Sequence, residues 1–132
     1  MTLTNLTAGT ELAPLRIERI SRRTLALFAG ASGDHQPVHI DIDAAKARGR
    51  EDVFAHGMLS MAHLGRFLTE RVPQERVRSF KTRFAAITPL YAEPLCTGRV
   101  VDVVDGVARL ELEVTLPDGT VTVRGEALVD VG

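Results

Sequence analysis

Hydrophobic and polar positions change their period along the chain in a way that divides it into three parts. Leu15-Arg16-Ile17-Glu18-Arg19-Ile20 alternates apolar and polar residues, as a half-buried strand does. Ser21 is a good N-cap for a helix carrying Leu25, Leu27, Phe28 and Ala29, which the stretch from Gly30 to Gly33 would end. Asp43 stands where it would cap a short helix over residues 44–48, with Gly49 supplying a left-handed stop. The second part, residues 57–70, predicts a helix of about four turns. Met58, Leu59, Met61, Ala62, Leu64, Phe67 and Leu68 cover most of its circumference, so other structure has to wrap it. The third part is strand after strand: residues 77–87, 95–104, 107–116 and 120–131 are rich in β-branched side chains. Asp105-Gly106 and Pro117-Asp118-Gly119 are hairpin signals, which makes the last three strands an antiparallel meander. Pro89 and Pro94 frame a loop over 88–94 that interrupts the ladder. With the strand at 15–20 the total is about five strands. The predicted class is α+β, with one central apolar helix held in the concave face of a strongly twisted antiparallel sheet.

Composition narrows the function classes. The chain has 132 residues, 45% of them hydrophobic, which suits one core and one domain over 1–132. Lys+Arg 16 against Asp+Glu 17 gives a net charge of −1, with no basic surplus for a phosphate backbone, so a nucleic-acid partner is not expected. The single Cys96 cannot form an intrachain disulfide, and residues 1–14 lack the basic flank and apolar run of a signal peptide. No apolar stretch approaches the roughly 20 residues that span a bilayer. A soluble cytoplasmic protein without a membrane partner is expected.

The candidate chemistry lies in two segments. Gly33-Asp34-His35-Gln36-Pro37-Val38-His39 packs an acid, an amide and two imidazoles into a stretch that cannot be regular. Pro37 disfavours the helical conformation at Gln36, so His35 and His39 do not form a helical metal pair. A bent loop would instead aim Asp34 and His39 at one place, an arrangement suited to general acid–base work on a water molecule. The competing reading of the same residues is a turn stabilised by Asp34 with His39 as a satisfied histidine. The second segment, Phe54-Ala55-His56-Gly57-Met58-Leu59, opens the apolar helix with a glycine. The first amides of a helix have no intrahelical acceptor, and without a Cβ at Gly57 a polarised carbonyl oxygen can approach them. Alternatively, Gly57 only permits a tight junction.

Together, Gly33-Asp34-His35-Gln36-Pro37-Val38-His39 and Ala55-His56-Gly57-Met58-Leu59, followed by Arg83-Phe84, resemble the hydratase motif of the MaoC-like (R)-specific enoyl-CoA hydratases and 3-hydroxyacyl-thioester dehydratases. The resemblance implies a single hotdog domain whose sheet wraps the central helix. It implies reversible hydration of a trans-2-enoyl thioester to the (R)-3-hydroxyacyl thioester. Asp34 and His39 match the catalytic pair that holds the water, and the Gly57 N–H matches the donor to the thioester oxygen. Gln36 and His56 join Gly57 as expected substrate-side residues. Gln36 departs from the usual asparagine, and Gly65 stands where some hydratases carry a serine that Ser60 does not obviously replace. No metal or redox cofactor is implied; coenzyme A or phosphopantetheine enters as the carrier of the substrate.

The resemblance also implies a dimer, with the acyl thioester as substrate and either a second copy or a related hotdog subunit as partner. The same fold hosts thioesterases, and a non-catalytic partner subunit is the reading from another class. His63 is expected to pack or face a partner, and Cys96 to fill a strand. Arg76, Arg78, Lys81 and Arg83 would form either a basic rim for carrier phosphates or a solvated strand face.

Overall fold

The computed structural model describes residues 5–132. The first part holds β1 (Leu15–Arg16), α1 (Arg22–Ser32), a 3-10 turn (Pro37–His39) and α2 (Ile42–Ala47). α3 (Gly57–Thr69) follows, then β2 (Val77–Phe84), β3 (Leu95–Val104), β4 (Val107–Thr115) and β5 (Val121–Asp130). The five strands make one antiparallel sheet in the order β1-β3-β4-β5-β2. Burial alternates along β4, so one face of the sheet is the core face. Register shifts leave Arg78 of β2, Val101 of β3 and Thr122 of β5 as bulged residues, which increase local twist and help the sheet curl.

α3 lies on that face. Leu64, Phe67 and Leu68 pack among Val100, Leu110, Leu112, Val114, Val123 and Ala127, all at most 1% exposed. The helix comes this close because β3 carries Gly98, where a Cβ would stand 2.8 Å from Leu112 Cδ2 and 3.0 Å from the Phe67 ring. A second apolar cluster joins Ile20, Leu25, Ala45, Val53, Ala55 and Leu59, tying the first part of the chain to the N-terminal turn of α3. Among the described residues, no helix is long and apolar enough to cross a membrane.

The hairpins follow the turn chemistry. Asp105 and Gly106 both have positive φ, 52° and 74°, as a type I′ turn requires. Gly119 at φ 90° closes the other turn, with its N–H donating to the Leu116 carbonyl. Four expectations need correction. β1 is two residues long, because Arg16 pairs with Leu95 and the next partner is Pro94, which has no N–H to return; Ile17 N–H still donates to the Pro94 carbonyl at 2.9 Å. Asp41, not Asp43, caps α2, its carboxylate accepting the Asp43 N–H at 2.9 Å. α1 continues to Ser32, with Gly33 as its left-handed stop. β2 ends at Phe84, where the Ala85 and Ala86 N–H groups both turn to the Thr122 carbonyl.

The sheet also does not surround α3 completely. Met58 is 54% exposed, and Phe84 and Ile87 beside the helix start are 51% and 40% exposed, so an apolar side remains uncovered within one chain. Gly65 is not a close-packing glycine, since a Cβ there meets only the Phe80 ring at 3.6 Å.

Gly98→Ala is expected to lower stability by about 1–3 kcal/mol through overpacking against Phe67 and Leu112. A fall in the urea midpoint at unchanged slope checks this, and an unchanged midpoint would mean that the two side chains repack freely.

Candidate active site

Asp34 is placed by the stop of α1. Gly33 takes φ 78°, and the Asp34 N–H donates to Ser32 Oγ at 3.1 Å. One carboxylate oxygen, Oδ1, accepts the Gln36 N–H at 3.2 Å and makes the turn. The other, Oδ2, stands 4.0 Å from His39 Nε2. One oxygen of Asp34 therefore makes the turn while the other faces His39. Pro37 starts the 3-10 turn that brings His39 back, with the His39 N–H donating to the Gln36 carbonyl at 3.0 Å.

The imidazole of His39 is held by its other nitrogen. Nδ1–H donates to the Phe54 carbonyl at 2.7 Å, and a carbonyl can only accept. In the neutral ring the lone pair is thus on Nε2, facing Asp34. A carboxylate oxygen and a bare imidazole nitrogen 4.0 Å apart cannot bond each other directly, but both can accept from one water between them. His39 is 9% exposed, whereas the Asp34 side chain is 41% exposed, so the imidazole is covered while the carboxylate opens to solvent.

His56 supports both members. Its Nε2 donates to the Asp34 backbone carbonyl at 3.0 Å, and its ring stacks on His39 with centroids 4.0 Å apart. Phe28 meets its edge at 4.9 Å. His56 is 1% exposed, and burial pushes its pKa below the ordinary 6.5, which keeps the ring neutral. Its Nδ1 is buried without a partner among the described residues. His56 therefore positions the pair and does not line the cleft.

The cleft itself has a volume of about 300 Å³, with His39, Gly57 and Ser60 on one side and residues 84–88 on the other. The Gly57 N–H, first in α3, has no acceptor among the described residues, and it lies at the positive end of the helix. A Cβ at Gly57 would touch the Phe84 ring at 3.4 Å, an ordinary contact. Packing alone thus does not demand glycine there, and what the missing Cβ leaves is space at the helix start. Gln36 is exposed, does not line the cleft, and contributes through its backbone.

Three features escaped sequence reasoning. The Phe54 carbonyl that fixes His39 is a backbone atom, for which no side-chain signal exists. Ser60 and Thr88 line the cleft as a buried hydroxyl pair at 3.3 Å, yet 28 residues separate them. Thr122 closes the floor from β5, its hydroxyl donating to the Val114 carbonyl at 3.3 Å. Of the basic strand residues, Arg78 pairs with Asp130 at 2.7 Å and Lys81 with Glu126 at 3.6 Å, which favours the solvated-face reading for those two. Cys96 is buried, and burial pushes its thiol up to about 11, as an inert strand filler requires.

Asp34, His39 and His56 present ligand-type atoms within 4.8 Å of one another. They do not converge as a metal site. Stacked imidazoles aim their in-plane lone pairs along nearly parallel planes, and each ring already commits one nitrogen to a carbonyl.

With this geometry in place, the chain matches the MaoC like domain over residues 6–114, and it belongs to that family. It is 32% identical over 92 residues to 3-hydroxyacyl-thioester dehydratase Z of Mycobacterium tuberculosis, covering 65% of this chain and 61% of that protein. The chain thus spans less than two thirds of that curated relative. R-Hydratase PhaJ1 from Pseudomonas aeruginosa superposes with a TM-score of 0.88 at 27% identity, over 98% of this chain and 84% of that one. The ChsH1-ChsH2 complex from Mycobacterium tuberculosis superposes with a TM-score of 0.83 at 22% identity, over 93% of this chain and 96% of the other, and shows the shared fold. The five-stranded sheet with its central helix is a hotdog fold.

The histidines make stability depend on pH. Burial holds both His56 and His63 below the ordinary 6.5, so as pH falls through that value the unfolded chain takes up protons that the folded chain refuses. Stability is expected to be complete above pH 6.5 and to decline on acidification. Urea midpoints at about pH 7.5 and pH 5.5 check this, and His63→Leu is expected to reduce the difference. Equal midpoints at the two pH values would contradict it.

Proposed function

We propose that this protein is a hydro-lyase that adds water to a trans-2-enoyl thioester to give the (R)-3-hydroxyacyl thioester, and runs the reverse dehydration. The observation that carries the reading is the pair of acceptors, Asp34 Oδ2 and His39 Nε2, 4.0 Å apart beside a cleft that also holds the unpartnered Gly57 N–H. A water donating both hydrogens to the pair keeps its lone pairs free for the β-carbon. As the C–O bond forms, the carbon–carbon π electrons move toward the thioester carbonyl, whose developing negative charge the Gly57 N–H stabilises. One water proton passes to the Asp34–His39 pair and is returned to the α-carbon, so the thioester gains H and OH and the side chains are restored. Asp34, the more exposed member, is the principal base toward water, and His39 positions and shares the proton. No metal or redox group is required by this chemistry. The names of the dehydratase and hydratase relatives agree with the same reaction class.

Hydration of a short trans-2-enoyl-CoA, followed as loss of conjugated-thioester absorbance, tests the reading. Asp34→Asn and His39→Ala are each expected to lower kcat by about 100-fold or more while the protein stays folded. Gly57→Ala, whose Cβ the Phe84 ring tolerates, is expected to fold and to lose about tenfold or more in activity by crowding the thioester oxygen. Release of free thiol in place of hydration would make the protein a thioesterase. Unchanged activity of an assembled complex carrying Asp34→Asn would make it a silent subunit.

The same reading includes a second copy of the chain as partner. β2 is a sheet edge, and the uncovered Met58, Phe84 and Ile87 lie beside it, so two β2 strands brought together would extend the sheet and bury those side chains. Residues 84–87 also wall the cleft, so the partner would complete it. Light scattering of the purified chain is expected to give a dimer mass, and Phe84→Arg a monomer with reduced activity. A monomeric wild type would instead call for a related hotdog subunit.

A further inference from the structure

We infer that the thioester oxygen takes a second hydrogen bond, from the Ser60 hydroxyl, beside the one from the Gly57 N–H, and that Thr88 orients that hydroxyl. The inference rests on the hydratase reading above and adds one catalytic and one positioning residue to it.

Three hydroxyls line the cleft, and all are buried: Ser60, Thr88 and Thr122 are 1%, 4% and 0% exposed. Each carries one hydrogen to donate. Thr122 gives its hydrogen to the Val114 carbonyl at 3.3 Å. Ser60 and Thr88 have only each other among the described residues, at 3.3 Å, and one bond between two hydroxyls uses one hydrogen. The second hydrogen of the pair is left without an acceptor. A serine inside a helix can turn its hydroxyl back to the carbonyl four residues earlier, but Ser60 makes no such bond to His56. The walls around the pair are largely apolar, with Phe54, Phe84, Ile87 and Val123 among them, so the spare hydrogen stays under-bonded until an oxygen enters the cleft.

Position decides which oxygen that is. Ser60 follows Gly57 by three residues, so both stand on one face of α3, and a helical side chain leans back toward the turn before it, here the turn that begins with the Gly57 N–H. Thr88 reaches the pair from the other wall. Its carbonyl accepts the Ala55 N–H at 2.9 Å, and Pro89 after it bridges to Phe54, so this loop is fastened to the segment that enters α3. With Thr88 donating to Ser60 Oγ, the free hydrogen is that of Ser60, on the helix face where the Gly57 N–H is also unpartnered. A thioester oxygen has lone pairs for both donors. Its negative charge grows as water adds to the β-carbon, so a second hydrogen bond counts for more in the transition state than in the bound substrate.

The test uses two ligands that have no double bond to hydrate. Butyryl-CoA keeps the thioester carbonyl, and S-butyl-CoA has a methylene in its place, so the difference between them reports the oxygen alone. Their binding to the whole protein is measured by calorimetry for wild type, Ser60→Ala, Thr88→Val and the double variant, beside hydration of a short trans-2-enoyl-CoA. Ser60→Ala is expected to weaken butyryl-CoA by about threefold or more, to leave S-butyl-CoA unchanged, and to lower kcat/KM for hydration by about tenfold or more. Thr88→Val is expected to move the same quantities less, and the double variant to lose no more than Ser60→Ala, because Thr88 acts through Ser60. Thr88→Ser, which keeps a hydroxyl, is expected to restore most of the loss. Equal weakening of both ligands by Ser60→Ala would make the hydroxyl a wall of the cleft and overturn the inference. So would a loss on Thr88→Val with none on Ser60→Ala, and additive losses would overturn the orienting role of Thr88. A preference for butyryl-CoA that disappears in Ser60→Ala, in a protein that hydrates no enoyl thioester, would keep this donor and overturn the hydratase reading.

Discussion

Phe67 can reach the floor of the sheet only because β3 has no side chain at Gly98, and that contact fixes where α3 lies. The same helix begins at Gly57 and is preceded by His56, so its depth and rotation decide where the free Gly57 N–H and the buried imidazole stand. Leu59 carries the placement further by packing with Ile20, Leu25 and Ala55, which anchors α1 and the segment before α3 to the same helix. Fold and site therefore share one constraint. A shift of α3 by the width of a methyl group would move the helix start against the loop that holds Asp34.

The polar part of the site is built on backbone carbonyls. His56 holds the Asp34 carbonyl and His39 holds the Phe54 carbonyl, so each ring has a fixed tautomer and a fixed plane. This leaves His56 Nδ1 buried without a partner, a cost of about 1–3 kcal/mol for an unsatisfied polar group. Apolar packing by Phe28 and the stack on His39 offset it. Burial holds His56 below the ordinary 6.5, so the ring stacked on His39 at 4.0 Å between centres adds no positive charge to the site at neutral pH.

How much of this was legible depended on whether side chains or backbone carried the information. The apolar run from Met58 to Leu68 announced a central helix, and Asp105-Gly106 announced a hairpin, because periodicity and turn chemistry are written in side chains. Asp34 and His39 were readable for the same reason: Pro37 between them forces a bend. The length of β1 was not readable, because its end depends on meeting Pro94 across the sheet. Asp41 and Asp43 are equally good caps in isolation, and the chain path out of the 3-10 turn selects Asp41. The Ser60–Thr88 pair and the Phe54 carbonyl arise from tertiary contact alone.

Phe54 shows how the remaining surfaces are tied together. Its N–H donates to the Val38 carbonyl at 3.3 Å and its carbonyl accepts from His39, so residue 54 is stitched to the loop on both sides. Its ring meets the edge of His39 at 5.1 Å and also lies under Arg50. One side chain thus separates two clefts while touching a charged group or an imidazole in each. Movement of this ring would disturb the His39 edge contact, while the hydrogen bond from Nδ1, made to backbone, would persist. Orientation of His39 Nε2 is in this way insulated from adjustments of the Phe54 side chain.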